Sequence, residues 1–471
     1  MKKRYLLHLL WIIPLGVGFY HMIKPSPDYT SQKSELYQID NINFLYDLTF
    51  ADSNNEVKSE QEIFDTTLSI INEAEEFLMI DLFLFNDDYD HSDLSTDYPS
   101  ISSDLAEALV KKKQANPNMP IYFISDPINS FYRTYIPKHV ETMLDEGIAY
   151  LETDLSVLRD SNPLYSGFYR TYGKWLTSSD RQYLPNVLRP MGPKVNIPSY
   201  LSMLNFKANH RKTVMSEKQG MIASWNPHDG SGYHSNIAFT FEGPVLQDLL
   251  KSEIAVFNEA SQSNESVPTL QTEETDGQYG VQLLTEFEIK QHILQLLNQA
   301  KAEDQIKVGL FYLSDRDVIR AMKDASDRGV HVQLILDINQ DAFGNEKIGI
   351  PNRPVAHELN EYQNIDIRWY RTHGEQYHSK FIYHDDGHTA TIIGGSANFT
   401  RRNLDDYNLE TDLLITGDRS SELFIKVNEY YDRIWTNEGG TYTTDYEEHA
   451  EDVWWKTVIY HIQEFTGLST F

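Results

Sequence analysis

The chain contains no cysteine in 471 residues, so disulfides, thiolate metal sites and cysteine nucleophiles are excluded. Positive charge is also scarce. Against 70 Asp and Glu there are 40 Lys and Arg, a net −30 with histidines neutral. Such a balance argues against broad electrostatic affinity for nucleic acid or anionic lipid. Long uncharged apolar runs are rare as well. The one that stands out is Tyr5 to Ile23, about nineteen residues and close to the length that spans a bilayer as a helix. Lys2, Lys3 and Arg4 precede it, which puts that end inside and the body outside. Pro14, His8 and His21 weaken the span, and Gly16-Val17-Gly18 reads as a small-residue cleavage site. Residues 1–30 are therefore expected to be a membrane anchor or a cleaved signal. Either one exports the body, giving a single-pass membrane protein with an extracytoplasmic catalytic part, or a secreted one.

The positive charge that exists is concentrated. From Arg159 to Lys212 there are nine Lys and Arg against two Asp, a local +7 that leaves −37 for the remainder. Tyr165, Phe168, Tyr169, Tyr172, Trp175, Tyr183 and Tyr200 lie in the same segment. Its Pro, Gly and Tyr content predicts a long excursion rather than a helix, and loops of that length are usually functional.

Elsewhere the chain alternates helical and strand patterns, and does so twice. In the first half a helix at 59–76 precedes the buried strand Leu78–Phe85. A helix at 105–113, a strand at 121–124, a helix at 139–144 and a strand at 148–151 follow. In the second half a helix at 286–301 leads to a strand at 306–313. Then come a helix at 318–325, a strand at 330–336, a helix at 355–362 and a strand at 365–370. The expected class is α/β, two repeats with mainly parallel sheets related by a pseudo-two-fold axis and a site at their interface. The boundaries read as a first repeat 31–262 with its basic aromatic insertion 155–208, a polar linker 263–277, and a second repeat 278–440. A tail, 441–471, holds one amphipathic helix that either packs on the body or touches a membrane surface.

Each repeat ends in the same pattern. His378 and Lys380, two apart in an extended run, share a face. Ser396 and Asn398 repeat that spacing, and Asp385 and Glu410 stand nearby. In the first half the matching residues are His210, Lys212, Ser224 and Asn226, with Glu217 in the Asp position and Ala223 in the Gly position. His-x-Lys-x4-Asp followed by Gly-Ser-x-Asn, present twice, resembles the phospholipase D superfamily of phosphodiesterases and phosphatidyltransferases. The resemblance covers roughly residues 40–440 and does not specify the substrate.

The resemblance implies a reaction without metal or other cofactor. One neutral imidazole attacks phosphorus and forms a phosphohistidine; the other protonates the departing alcohol and then activates water or an acceptor alcohol. It assigns His210 as nucleophile and His378 as acid. Lys212 and Lys380 would hold the phosphoryl oxygens with Ser224, Ser396, Asn226 and Asn398. Glu410 stands where relatives carry a carboxylate that orients an imidazole, and Asn236 occupies the equivalent place in the first copy. Which of the two serves which histidine is open. Glu217 and Asp385 are expected to stand behind the site or to hold the fold rather than to act on substrate. His228, His234, His384 and His388 read as loop or surface residues.

Three functions are carried forward. The first is a membrane-tethered enzyme that hydrolyses or transfers phosphatidyl groups, with phospholipid as substrate and no obligate protein partner. The second is an exported nuclease whose basic aromatic segment follows a single strand. The third is a non-catalytic binding protein on the same fold.

Overall fold

A computed structural model describes residues 2–89, 98–175, 181–272, 276–342 and 345–469. Residues 176–180 of the insertion and 273–275 of the linker lie outside the described residues.

Two sheets of eight and nine strands carry the chain. In the first, Lys212–Ser216 lies between Leu78–Leu82 and Gly220–Ala223, antiparallel to both. Leu78–Leu82 is followed in parallel by Ile121–Ser125 and Ala149–Glu152. On the other side Gly220–Ala223 leads antiparallel to Asn236–Phe241 and then Ile42–Ala51. The second sheet repeats this order. Lys380–Asp385 lies between Gln305–Leu310 and Thr389–Gly395. Gln305–Leu310 runs parallel to His331–Asp337, which runs parallel to Ile365–Tyr370, while Thr389–Gly395 pairs with Thr411–Asp418.

The two expected α/β repeats are present, but the sheets are mixed rather than mainly parallel. Only the three strands separated by helices run together. The strands that carry the His-Lys pairs return through tight hairpins, and a hairpin reverses chain direction.

The sheets face each other across an inner core. Phe44, Phe239, Phe381, Tyr383 and Tyr430 belong to it, as do the buried faces of helices Val245–Ser261 and Glu422–Thr436. Separate cores lie on the outer faces. One sits under helices Phe287–Gln299 and Arg316–Asp327, the other under Ile63–Glu73 and Ile101–Ala115. Local signals start these helices: the Asp315 carboxylate accepts the amides of Asp317 and Val318 at the open end of Arg316–Asp327.

The halves are also laced together. Tyr37–Ile39, early in the chain, pairs with Tyr279–Thr285 as the outermost strand of the second sheet. Ala51 in the first sheet bridges to Thr441 near the C-terminus.

The insertion is not a plain excursion. It contains helices Pro163–Thr171 and Ile197–Met203, each opened by an Asn whose side chain caps an amide. The apolar N-terminal run forms helix Lys2–Ile23, with Pro14 inside it, packed on Pro163–Thr171. Its backbone approaches so closely that a Cβ on Gly18 would meet the Pro163 carbonyl oxygen at 2.0 Å. Among the described residues no helix is long and apolar enough to cross a membrane. In the tail, Thr443–Asp445 adds a strand beside Ile365–Tyr370 before the final helix Trp454–Thr466.

Candidate active site

The two sheets bring His210 and His378 to one cleft, with Lys212 and Lys380 fully buried, and each histidine is held from the opposite repeat. The amide of His210 donates to the Leu409 carbonyl at 2.9 Å, and the amide of His378 donates to the Ser235 carbonyl at 2.8 Å. These bonds place the next residue of each partner strand behind the imidazole. Glu410 Oε2 accepts from His210 Nδ1 at 3.0 Å, and Asn236 Oδ1 accepts from His378 Nδ1 at 3.2 Å. Asn236 is oriented by its own Nδ2, which donates to the His234 carbonyl at 2.9 Å. With both Nδ1 atoms engaged, both Nε2 atoms are left for the cleft. The question left open by the sequence is thereby answered: the carboxylate serves His210 and the amide serves His378.

Each lysine folds back on its own motif. Lys212 Nζ donates to the His210 carbonyl at 2.7 Å and Lys380 Nζ to the His378 carbonyl at 2.6 Å. Asn226 and Asn398 line the cleft with the two histidines.

The serines do not. Ser224 and Ser396 were expected to meet substrate, but both are fully buried behind it. Ser396 Oγ donates to Glu410 Oε2 at 2.5 Å and accepts the Thr411 amide at 2.9 Å. Ser224 Oγ donates to Asn236 Oδ1 at 3.3 Å and accepts the Ile237 amide at 3.0 Å. A short hydroxyl facing a neighbouring strand is satisfied there and has no reach into the cleft. Its effect is to fix the residue that fixes the imidazole.

Several symmetric partners escaped the sequence reading. Phe83 lies against the His210 ring at 4.7 Å and Phe311 against His378 at 5.1 Å. Their rings also lie beneath Lys212 and Lys380, at 5.0 and 5.4 Å. Asp126 Oδ2 accepts the amide of Asn209, and Asp337 Oδ2 accepts that of Tyr377, so a buried carboxylate holds the residue before each histidine. The available signal was positional: Leu82-Phe83 and Leu310-Phe311 end equivalent strands, as Ser125-Asp126 and Leu336-Asp337 do. Arg211, wholly buried, reaches Glu286 Oε1 at 2.9 Å, and the same oxygen accepts the Glu410 amide at 3.1 Å.

Residues 293–435 match the family model described as "Cardiolipin synthase, PLD-like domain". That stretch, which lies within the second repeat, is phospholipase D-like. The chain's fold is similar to that of phosphatidylserine synthase from Haemophilus influenzae Rd KW20, with a TM-score of 0.56 at 11% identity over 92% of this chain and 95% of that one. A phospholipase D family member, Nuc from Salmonella typhimurium, aligns over 35% of this chain and 97% of its own at 19% identity, with a TM-score of 0.27. No curated protein matches the sequence.

Burial sets the electrostatics of this phospholipase D-like site. His210 is held well below its usual value by burial, then by Lys212 and Lys380. His378 is lowered for the same first reason and then by Lys380. Burial brings Lys212 down to about 7 and also lowers Lys380, whose nearest repulsion is Lys212. Glu410 is pushed up to about 8 by burial. Cationic forms crowd one another in a buried pocket, and a bound anion would relieve them.

The cleft holds about 460 Å³. Phe83, Leu84, Val187, Leu188, Met203 and Phe206 make much of its wall, and four of these come from the insertion or its end. Three of the insertion's cations are spent on internal ion pairs. Arg189 grips Asp87 with two bonds of 2.6 Å, Arg170 binds Asp160 at 2.7 Å, and Arg159 meets Asp406 at 3.4 Å. A basic stretch in an acidic protein finds carboxylates first.

Two of the nearby histidines lie in loops, as expected. His228 and His234 are buried rather than on the surface. His228 lines the cleft and bonds Ser231 Oγ at 2.7 Å and the Asp88 carbonyl at 2.8 Å. His384 pairs with Asp304 at 2.8 Å.

Glu217 and Asp385 hold the fold rather than back the site. They lie at the far turns of the two hairpins, about 23 Å along the strands from the histidines. Glu217 accepts the amides of Glu75 and Glu76 at 2.8 and 3.1 Å, and Asp385 accepts the Gly387 amide at 2.8 Å. Glu217→Ala should therefore cost about 1 kcal/mol of stability by denaturant titration while turnover stays within about twofold of the parent. A large fall in kcat at unchanged stability would put Glu217 back at the site.

Proposed function

We propose that the chain is a phospholipase D-like phosphodiesterase that hydrolyses phospholipid headgroup esters or transfers their phosphatidyl groups, through a phosphohistidine. The observation that carries this reading is the convergence of His210 and His378, each braced from the opposite repeat, on one cleft walled largely by apolar residues. The family model's printed description and the synthase fold agree with it.

In the proposed reaction His210 Nε2 attacks phosphorus, forming a P–N bond as the P–O bond to the leaving alcohol breaks. The departing oxygen takes the proton of His378 Nε2. His378 then removes a proton from water or an acceptor alcohol, which attacks the phosphohistidine and frees His210. The assignment of His210 as nucleophile is supported by its partner. A carboxylate on Nδ1–H raises the basicity of Nε2 and stabilises the cationic ring of the intermediate, whereas the amide beside His378 leaves a more acidic imidazolium, suited to giving up its proton. Lys212, Lys380, Asn226 and Asn398 face the non-bridging oxygens in this reading. The N-terminal helix, which opens with Lys2, Lys3 and Arg4, is proposed to keep the body at the outer side of a membrane.

Full-length protein offered phosphatidylcholine vesicles and a single-stranded oligonucleotide in parallel should release headgroup and leave the oligonucleotide whole. Nucleotide release without headgroup release would replace this reading by the nuclease one.

A further inference from the structure

The C-terminal helix Trp454–Thr466 is mounted with its polar side inward. An α-helix turns about 100° per residue, so positions four apart share a side. Lys456, Tyr460 and Glu464 are the buried residues of this helix. Lys456 Nζ binds Glu451 at 2.6 Å and Tyr460 Oη donates to the Ser314 carbonyl at 2.9 Å. Opposite them Trp454, Trp455, Val458, Ile462 and Phe465 fall within an arc of about 100°. All five are exposed, Trp454 at 75% and Phe465 at 84%. A helix on the surface of a water-soluble body has the reverse arrangement. A contiguous apolar face of this kind marks an interaction site.

Its position relates it to the cleft. Arg402, which lines the cleft, donates to the carbonyl of Gly467 at 3.1 Å, directly after the helix. Gly467 lies so close to Ser161 that a Cβ would meet its carbonyl oxygen at 2.2 Å. The neighbouring Asp160 amide donates to His21 of the N-terminal helix at 3.0 Å. The two terminal helices therefore meet on one short segment, 160–163, and the N-terminal one leaves Trp11, Ile12, Phe19 and Tyr20 exposed.

Charge selects the occupant. The face itself carries no charge, Glu447, Glu448, Glu451 and Asp452 stand at its entrance, and the whole chain is at −30. A second copy brings another −30 with no cation on the face to offset it, and an anionic bilayer is repelled in the same way. A zwitterionic lipid surface has no net charge to oppose the body, and its headgroup boundary accepts Trp and Phe. We propose that the C-terminal helix is an interfacial helix that seats the cleft on a zwitterionic lipid surface. This rests on the lipid reading of the cleft, which it extends from the substrate to the surface that presents it.

Because the chain lacks cysteine, full-length Phe465→Cys accepts one environment-sensitive fluorophore, and Glu422→Cys on another helix serves as the control. Phosphatidylcholine vesicles should blue-shift the label at 465 and not at 422, and phosphatidylglycerol vesicles should do so less. Trp454→Ser/Trp455→Ser/Ile462→Ser should lower vesicle partitioning at least about tenfold. Turnover of a water-soluble short-chain phosphodiester should be unchanged in that variant. An unshifted label at 465 with phosphatidylcholine overturns the proposal, as does a label already shielded without lipid in a species that sediments as a dimer. Headgroup release from vesicles while 465 stays in water would leave the enzyme reading standing and remove this one. A shifted label with no phosphodiester cleaved would support the docking and remove the enzyme reading.

Discussion

His210→Ala and His378→Ala should each lower kcat on a phosphatidyl substrate by about 10³-fold or more, with folding intact by circular dichroism. The two losses should differ in kind. Without His210 no P–N bond forms, and a diester with a good leaving group rescues nothing. Without His378 the attack lacks its acid, so a nitrophenyl diester, whose leaving oxygen needs no proton, should give a burst and then stall. The stalled enzyme should carry phosphorus on His210, visible as a mass increment stable to base and labile to acid. Because the residues act as a unit, the double variant should lose little more than either single one. Full turnover by either variant would refute the assignment of the pair. An increment on His378 rather than His210 would exchange their roles.

The second large effect concerns the partners behind the rings. Glu410→Gln keeps the shape and removes the acid that can give up its proton as His210 becomes cationic, and kcat should fall about 10²- to 10³-fold. Glu410 also accepts from Ser396 Oγ and Asn403 Nδ2, so the loss should fall on kcat, with the site otherwise in place. The pH profile gives the test of sign. His210 must be neutral to attack, so the acid limb reports its deprotonation, and loss of the carboxylate should move that limb to lower pH. His378 must be protonated to act as acid, and burial with Lys380 holds it below its usual value. The parent should therefore work best on the acid side of neutrality. Asn236→Asp should raise His378 and move the basic limb to higher pH. The observed limbs belong to the coupled pair.

Stability should respond oppositely to activity in Glu410→Gln. A folded-state value of about 8 lies above the ordinary carboxylate value of 4.5, so the folded state holds the extra proton. Its contribution is full below 4.5 and lost as pH rises through 8. Glutamine cannot ionise, and the melting temperature of the variant should fall less across that window. A parallel fall in both proteins would show that Glu410 is not the group being titrated.

Much of this site was legible in the sequence because its chemistry is local. His-x-Lys in an extended strand fixes two side chains on one face, and the repeat of the whole motif told that there were two half-sites. Glu410 and Asn236 could be ranked as equivalent by register, but their pairing could not, since a strand carries no record of the strand across an interface. Ser224 and Ser396 were misjudged for the same reason: alternation gives a face, not what covers it. Glu217 and Asp385 were read through the motif, whereas the hairpin takes them to its far end. The apolar lining from Val187, Leu188 and Met203 was hidden by a segment whose composition advertised its cations. Those cations met Asp160 within the insertion and Asp87 and Asp406 far from it in sequence, which only the folded chain brings near.

One tie between the repeats bears on how the molecule is made. The Ser31 amide donates to Glu286 Oε2 at 2.8 Å, and Tyr37–Ile39 has no strand to join until Tyr279–Thr285 exists. Glu286 also steadies Arg211 and the amide of Glu410. A growing chain thus carries its earliest strand unpaired through more than half of synthesis, with its first histidine unsupported throughout. The cleft is complete only once His378, Asn398 and Glu410 have been made, so a product truncated before them lacks its second half.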